Sequence, residues 1–187
     1  MNNKFKTFII ICIVYVCCYA FLNNIVFFSP TELFLFNFEK QIPLMPNFIW
    51  IYLSVAIMVP MVFFFTKDNF LAKKFIWSFN VLIATSFICF LFFPTIYPRH
   101  NYPTNSEILH FFWVNLDQPV CCFPSLHVGG AILAAVVSWY QRKFYYIVWA
   151  ILIAISTLTL KQHYFIDVMA GSSIAIISFY TSKFFVR

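Results

Sequence analysis

The 187 residues are 63% hydrophobic and 22% aromatic, and only 10% are charged. Soluble domains carry about 25% charged residues, so this composition excludes a soluble globular protein and indicates an integral membrane one. The formal charge of +6 comes from basic residues scattered singly or in pairs between apolar runs, which excludes the contiguous basic patch of a nucleic-acid binder.

Taken in order, the chain alternates apolar runs with short polar breaks. After Lys4 and Lys6, the run from about Thr7 to Phe28 exceeds the roughly 20 residues that cross a bilayer. It continues through Phe21 and Leu22, past the roughly 7 to 15 apolar residues of a cleaved signal, so it is expected to be retained as span one. Ser29 to Pro46 carries Pro30, Pro43, Pro46, Glu32, Glu39 and Lys40 and is expected to be an external loop. Span two runs from about Asn47 to Thr66, with Pro60 as a kink that neighbouring helices can tolerate. A basic turn with Lys67, Asp68, Lys73 and Lys74 leads to span three, about Phe75 to Phe93, ended by Pro94. Thr95 to Phe123, rich in Pro, Asn and charge, is too polar to span and is the main loop. Span four, about Ser125 to Tyr140, turns at Gln141 to Lys143 into span five, about Phe144 to Leu160, and span six covers about Tyr164 to Phe185.

The fold class expected is therefore all-α: one polytopic domain over residues 1–187 with six transmembrane helices. No repeat or linker divides it. Lys4, Lys6, Lys67, Lys73, Lys74, Arg142, Lys143, Lys183 and Arg187 collect on one side, against Lys40, Arg99 and Lys161 on the other. This bias places both termini in the cytoplasm and the main loop on the extracytoplasmic face, periplasmic or lumenal. Four of the six cysteines, Cys12, Cys17, Cys18 and Cys89, fall inside apolar runs, where cysteine acts as a small hydrophobe, so no disulfide framework is expected.

Two polar clusters interrupt this pattern: Pro124-Ser125-Leu126-His127 where span four begins, and Lys161-Gln162-His163 with Asp167 where span six begins. Descending span four and climbing span five, at 1.5 Å per residue, returns the chain to the face it left. His127 and His163 thus share one side with Arg99 and Lys161. Imidazoles beside cations above apolar helices suit an anionic head group on a membrane-embedded tail. Asp167 inside an apolar run is the strongest single signal, because ionisable groups there are costly and usually functional. A zinc site is the competing chemistry for His163 and Asp167, but neither a His-Glu-x-x-His helix nor paired-cysteine spacing accompanies them. A transporter or scaffold would call for more polar positions within the spans and a pseudo-repeat.

These residues resemble the type 2 phosphatidic acid phosphatase superfamily of lipid phosphate phosphatases, prenyl diphosphate phosphatases and sphingolipid head-group transferases. Its Pro-Ser-x-His motif is matched at Pro124, Ser125 and His127, and its His-x-x-x-Asp motif at His163 and Asp167. Leu126, in place of the more usual Gly, is similar to the inositol phosphorylceramide synthase branch. Arg99 stands where the first motif has its arginine, followed by His100 instead of proline. The third motif's upstream arginine is absent, and Lys161 is the nearest cation. The resemblance implies a metal-independent enzyme without cofactor, with His163 as nucleophile, Asp167 orienting it, and His127 as general acid and base. It further implies that Arg99, Lys161 and Ser125 bind the phosphate of a phospholipid, phosphoprenol or other lipid phosphate. Hydrolysis is the activity it favours first and head-group transfer the second.

Overall fold

The computed structural model describes residues 3–186. Among the described residues the chain forms nine α-helices: α1 (Asn3–Asn24), α2 (Asn37–Gln41), α3 (Ile49–Leu53), α4 (Val55–Phe64), α5 (Asn69–Phe92), α6 (Glu107–Asn115), α7 (Leu126–Tyr140), α8 (Tyr145–Thr159) and α9 (Phe165–Thr181). The fold is mostly helical, as composition and run lengths predict. Two-residue strands, β1 (Thr31–Glu32) and β2 (Thr95–Ile96), pair in parallel within the loops.

The expectation of six spans is met in part. Four segments, Phe5–Asn24, Pro46–Phe64, Asn69–Phe92 and Phe165–Phe184, are long and apolar enough to cross a membrane. Helices α7 and α8 are apolar but only 15 residues each, about 22 Å at 1.5 Å per residue, against a hydrocarbon core of about 30 Å. The position of α7 accounts for its brevity. It packs on α4, α5, α8 and α9 at once, so its length is matched to surrounding protein and not to lipid.

Helices in lipid gain little from apolar burial and associate through close packing, which favours small residues. Gly129, Gly130, Ala131, Ala134 and Ala135 are all buried on α7, and Gly171 and Ala175 are buried on α9. At Gly171 an added Cβ would lie only 2.2 Å from the Ser125 carbonyl oxygen. The α7–α9 crossing therefore depends on the missing side chain. Outside it, α1 presents mostly exposed apolar residues and anchors through Phe8, whose ring stacks on Phe63 with centroids 4.1 Å apart.

Span two is interrupted at Ser54, between α3 and α4, and not at Pro60, which sits inside α4. The Ser54 hydroxyl donates to the Ile51 carbonyl at 2.5 Å and accepts from Trp149 Nε1 at 2.8 Å. At the bundle end carrying the 65–68 and 141–144 turns, Asp68 caps α5 by accepting from Phe70 N at 2.8 Å. Here too Gln141 Nε2 donates to Thr66 Oγ1 at 2.8 Å.

The opposite end is closed by the loops. The main loop, too polar to span, contains α6. Its Ser106 cap and its buried Leu109 and Phe112 show an amphipathic helix lying across the bundle end.

Candidate active site

Ser125 starts α7 by accepting from Val128 N at 3.3 Å, the usual work of a serine N-cap. Its own N–H donates to the Asp167 carbonyl at 3.1 Å, so the first turns of α7 and α9 are bonded backbone to backbone. His127 follows two residues into α7, and His163 sits in the turn just before α9. The two rings lie with centroids 6.3 Å apart. The hairpin expected from the order of the spans thus brings both imidazoles to one end of the bundle.

Each ring is fixed by its Nδ1. His163 Nδ1 lies 2.8 Å from the Cys122 carbonyl oxygen and 3.4 Å from Asp167 Oδ2. A carbonyl oxygen can only accept, so Nδ1 carries a proton, and the tautomer this selects for the neutral ring has its lone pair on Nε2. Asp167 is the more distant of the two acceptors, and its Oδ2 also accepts from Tyr164 N at 2.8 Å. One carboxylate therefore both caps α9 and faces the imidazole that precedes it. Its Oδ1 is buried without a hydrogen-bond partner.

The partner of His127 is Tyr52, which the sequence did not single out. Its hydroxyl lies 3.1 Å from His127 Nδ1, and its ring stacks on the imidazole with centroids 4.0 Å apart. Tyr52 is itself only 1% exposed and packs edge-on against Phe112 of α6. No motif spacing marks a tyrosine 75 positions from the histidine that it holds. The available signal was a hydroxyl-bearing ring near the start of span two, on the face shared with the motifs.

Arg99 is buried, and its guanidinium is already engaged. Nη1 donates to the Asp117 carbonyl at 2.5 Å, Nη2 to Asp117 Oδ2 at 3.2 Å and to Gln162 Oε1, and Nε to the Lys161 carbonyl at 3.4 Å. Asp117 Oδ1 accepts from Tyr19 of α1 at 2.6 Å. The result is a chain, Tyr19–Asp117–Arg99–Gln162, whose last three members are buried and which ends beside His163. Gln162 Nε2 is buried with no partner.

Lys161 has φ +56°, a left-handed conformation costly for a lysine. Its ammonium donates to the carbonyls of Ile42 at 2.7 Å and Glu39 at 3.3 Å, and lies 4.6 Å from the Tyr102 ring centroid. Burial lowers its pKa, opposed by the nearby Glu39 charge. Glu39 is 2% exposed. It accepts from Phe165 N at 2.6 Å and from Phe36 N at 2.9 Å, holding the start of α9 from the first loop. Of the six site residues expected, Ser125, His127, His163 and Asp167 converge directly. Arg99 joins through Gln162 and Lys161 through backbone carbonyls.

The Arg99–Asp117 pair yields a stability prediction. Removing one partner of a buried ion pair costs about 3–5 kcal/mol, because the other charge is stranded. Asp117→Ala is expected to lower the denaturation midpoint accordingly, and Arg99→Leu with Asp117→Leu to recover much of the loss. A single variant as stable as wild type would show that the pair is solvated.

Among the described residues no three His, Cys, Asp or Glu side chains converge as metal ligands. No curated protein and no solved structure is significantly similar to the chain. The family model described as PAP2 superfamily matches residues 23–181, a stretch that takes in both histidine motifs, Arg99 and everything between them. A helical membrane chain with this pair of facing imidazoles and that match belongs to the PAP2 superfamily.

Proposed function

We propose that the chain is a membrane lipid phosphatase that hydrolyses a phosphomonoester or diphosphate of a lipid on the extracytoplasmic face, through a phosphohistidine at His163. The observation that carries this reading is the 6.3 Å pairing of His127 and His163 with both Nδ1 atoms committed elsewhere, which leaves two Nε2 atoms for one phosphorus. The basic residues crowded at the other end of the spans favour the extracytoplasmic placement.

His163 Nε2 attacks phosphorus as the bond to the lipid oxygen breaks. His127 acts as an imidazolium, its Nδ1–H donating to the Tyr52 hydroxyl 3.1 Å away, and gives its Nε2 proton to that leaving oxygen, becoming the neutral ring. Water then loses a proton to His127 and attacks the phosphohistidine, the P–N bond breaks, and inorganic phosphate departs. Most catalysis of phosphoryl transfer is positioning and charge neutralisation. Ser125, the free N–H groups opening α7 and the unpartnered Gln162 amide serve the phosphoryl oxygens directly. Arg99 and Lys161 add positive charge from anchored positions.

The test is the purified protein in detergent with a panel of long-chain lipid phosphates and diphosphates, each with and without diacylglycerol or ceramide. Phosphate release together with an acid-labile phosphoenzyme is the expected result. The Leu126 variation favours a second reading, head-group transfer to a lipid hydroxyl, which would appear as a new lipid product in place of free phosphate. Background turnover throughout would leave a transporter or scaffold.

Tyr52 supplies a more specific prediction. Tyr52→Phe keeps the stacked ring and removes one hydrogen bond, worth about 0.5–1.5 kcal/mol, so kcat should fall up to about tenfold with KM unchanged and the alkaline limb of the pH profile, where His127 loses the proton it must donate, moved to lower pH. An unaltered pH profile would reduce Tyr52 to a packing residue.

A further inference from the structure

A cavity of about 240 Å³ opens beneath His127, walled by α1, α4, α5 and α7, and its lining is almost wholly apolar. Val16, Ala56, Val59, Ile83, Leu126 and Gly130 are among its walls, and His127 also lines it. A second groove of about 430 Å³ runs along the lipid-facing side of α1 and α4, between Phe8 and Phe64. The two share Cys12, Val16 and Pro60, so an apolar path leads from the catalytic imidazole out to the bilayer between α1 and α4.

We infer that this path is the binding site for one hydrocarbon chain of the substrate, threaded from the phosphate at His127 to the lipid between α1 and α4. The inference rests on the phosphatase reading and names the part of the substrate that site selects. Several observations fix the occupant. The cavity, at about 240 Å³, is smaller than the roughly 300–1,000 Å³ of sites for drug-sized molecules, so it suits one slender alkyl or isoprenoid chain better than two chains side by side. Its continuity with His127 ties the chain to the group being cleaved. The groove it joins is walled by apolar side chains of α1 and α4, two segments long and apolar enough to lie in a bilayer, which favours a lipid chain over a soluble ligand. Lipid tails are as apolar as leucine, so the path gains little by burying a chain already in a bilayer. It acts by position: a chain held along α4 aims its phosphate at the two imidazoles, and displacements near 1 Å can cost about 100-fold.

The experiment uses a long-chain monoalkyl phosphate carrying a diazirine at mid-tail, photolysed with the full-length protein in nanodiscs and mapped by mass spectrometry. Labels on Val16, Val59 and Ile83, competed by unlabelled long-chain phosphate, are expected. Labels spread evenly over the lipid-facing residues of α8, such as Val148 and Ile151, would overturn the assignment. In parallel, Ala56→Phe and Val16→Trp narrow the path from two different helices. Each should lower the ratio of kcat/KM for the long-chain phosphate to that for a short, water-soluble alkyl phosphate by about tenfold. An unchanged ratio in both variants counts against the path. If wild type released no phosphate from any substrate, the hydrolytic reading would fail, while the labelling pattern would still decide where the tail lies.

Discussion

His163→Ala is expected to abolish both phosphate release and the phosphoenzyme, with a loss of at least about 10⁴-fold in kcat, since removing a nucleophile leaves only binding and charge stabilisation. His127→Ala should behave differently. General acid–base transfer contributes about 10² to 10⁴, and the acid is needed most when the leaving oxygen is a poor leaving group. The His127 variant should therefore lose about 10³-fold on a lipid alkyl phosphate and much less on an aryl phosphate such as p-nitrophenyl phosphate, while His163→Ala is equally dead on both. The reverse pattern, leaving-group dependence at His163 and none at His127, would exchange the two roles. Equal turnover by wild type and both variants would remove the phosphohistidine altogether.

Gly171→Val should be nearly as damaging without touching any reacting group. A Cβ at that position meets the Ser125 carbonyl oxygen at 2.2 Å, and the obstacle is backbone, so no rotamer change can relieve it. The neighbouring Ser125 N–H bond to the Asp167 carbonyl must stretch as α7 and α9 separate, carrying His127 away from His163. Overpacking of this kind costs about 1–3 kcal/mol, and a shift near 1 Å at the site costs about 100-fold in rate. Gly130→Ala is the matched control: its new Cβ would meet only Val59 Cγ2, at 3.4 Å, and stability should be close to wild type. Equal melting temperatures of the two variants would mean that the crossing yields easily.

Much of this architecture was legible in the sequence because hydropathy reports the solvent of each segment directly. The four long spans follow from run length, and the meeting of His127 with His163 follows from the parity of the spans between them. The sequence did not disclose how the site residues are held. Arg99 looked like a free phosphate ligand, yet its guanidinium is occupied by Asp117 and Gln162, because a cation placed under loops must be neutralised there. Tyr52 and Glu39 escaped notice because their partners are distant in sequence and no periodicity connects them. The three glycines of the chain are the signal that was available and underused. In a chain so poor in glycine, a pair just after His127 and a third four residues beyond Asp167 mark where helices must touch. The shortness of α7 has the same origin: apolar length measures the surroundings of a helix, and those of α7 are protein.

The carboxylate of Glu39 completes the start of α9 from 126 positions earlier in the chain, while Lys161 grips the segment following that glutamate. During synthesis at the ribosome, the first loop must wait, with an unsatisfied acid, until the last hairpin emerges and docks against it. The two imidazoles can therefore be paired only late in biogenesis, and a nascent chain halted before that hairpin carries Arg99 and His127 but neither His163 nor the helix that follows it.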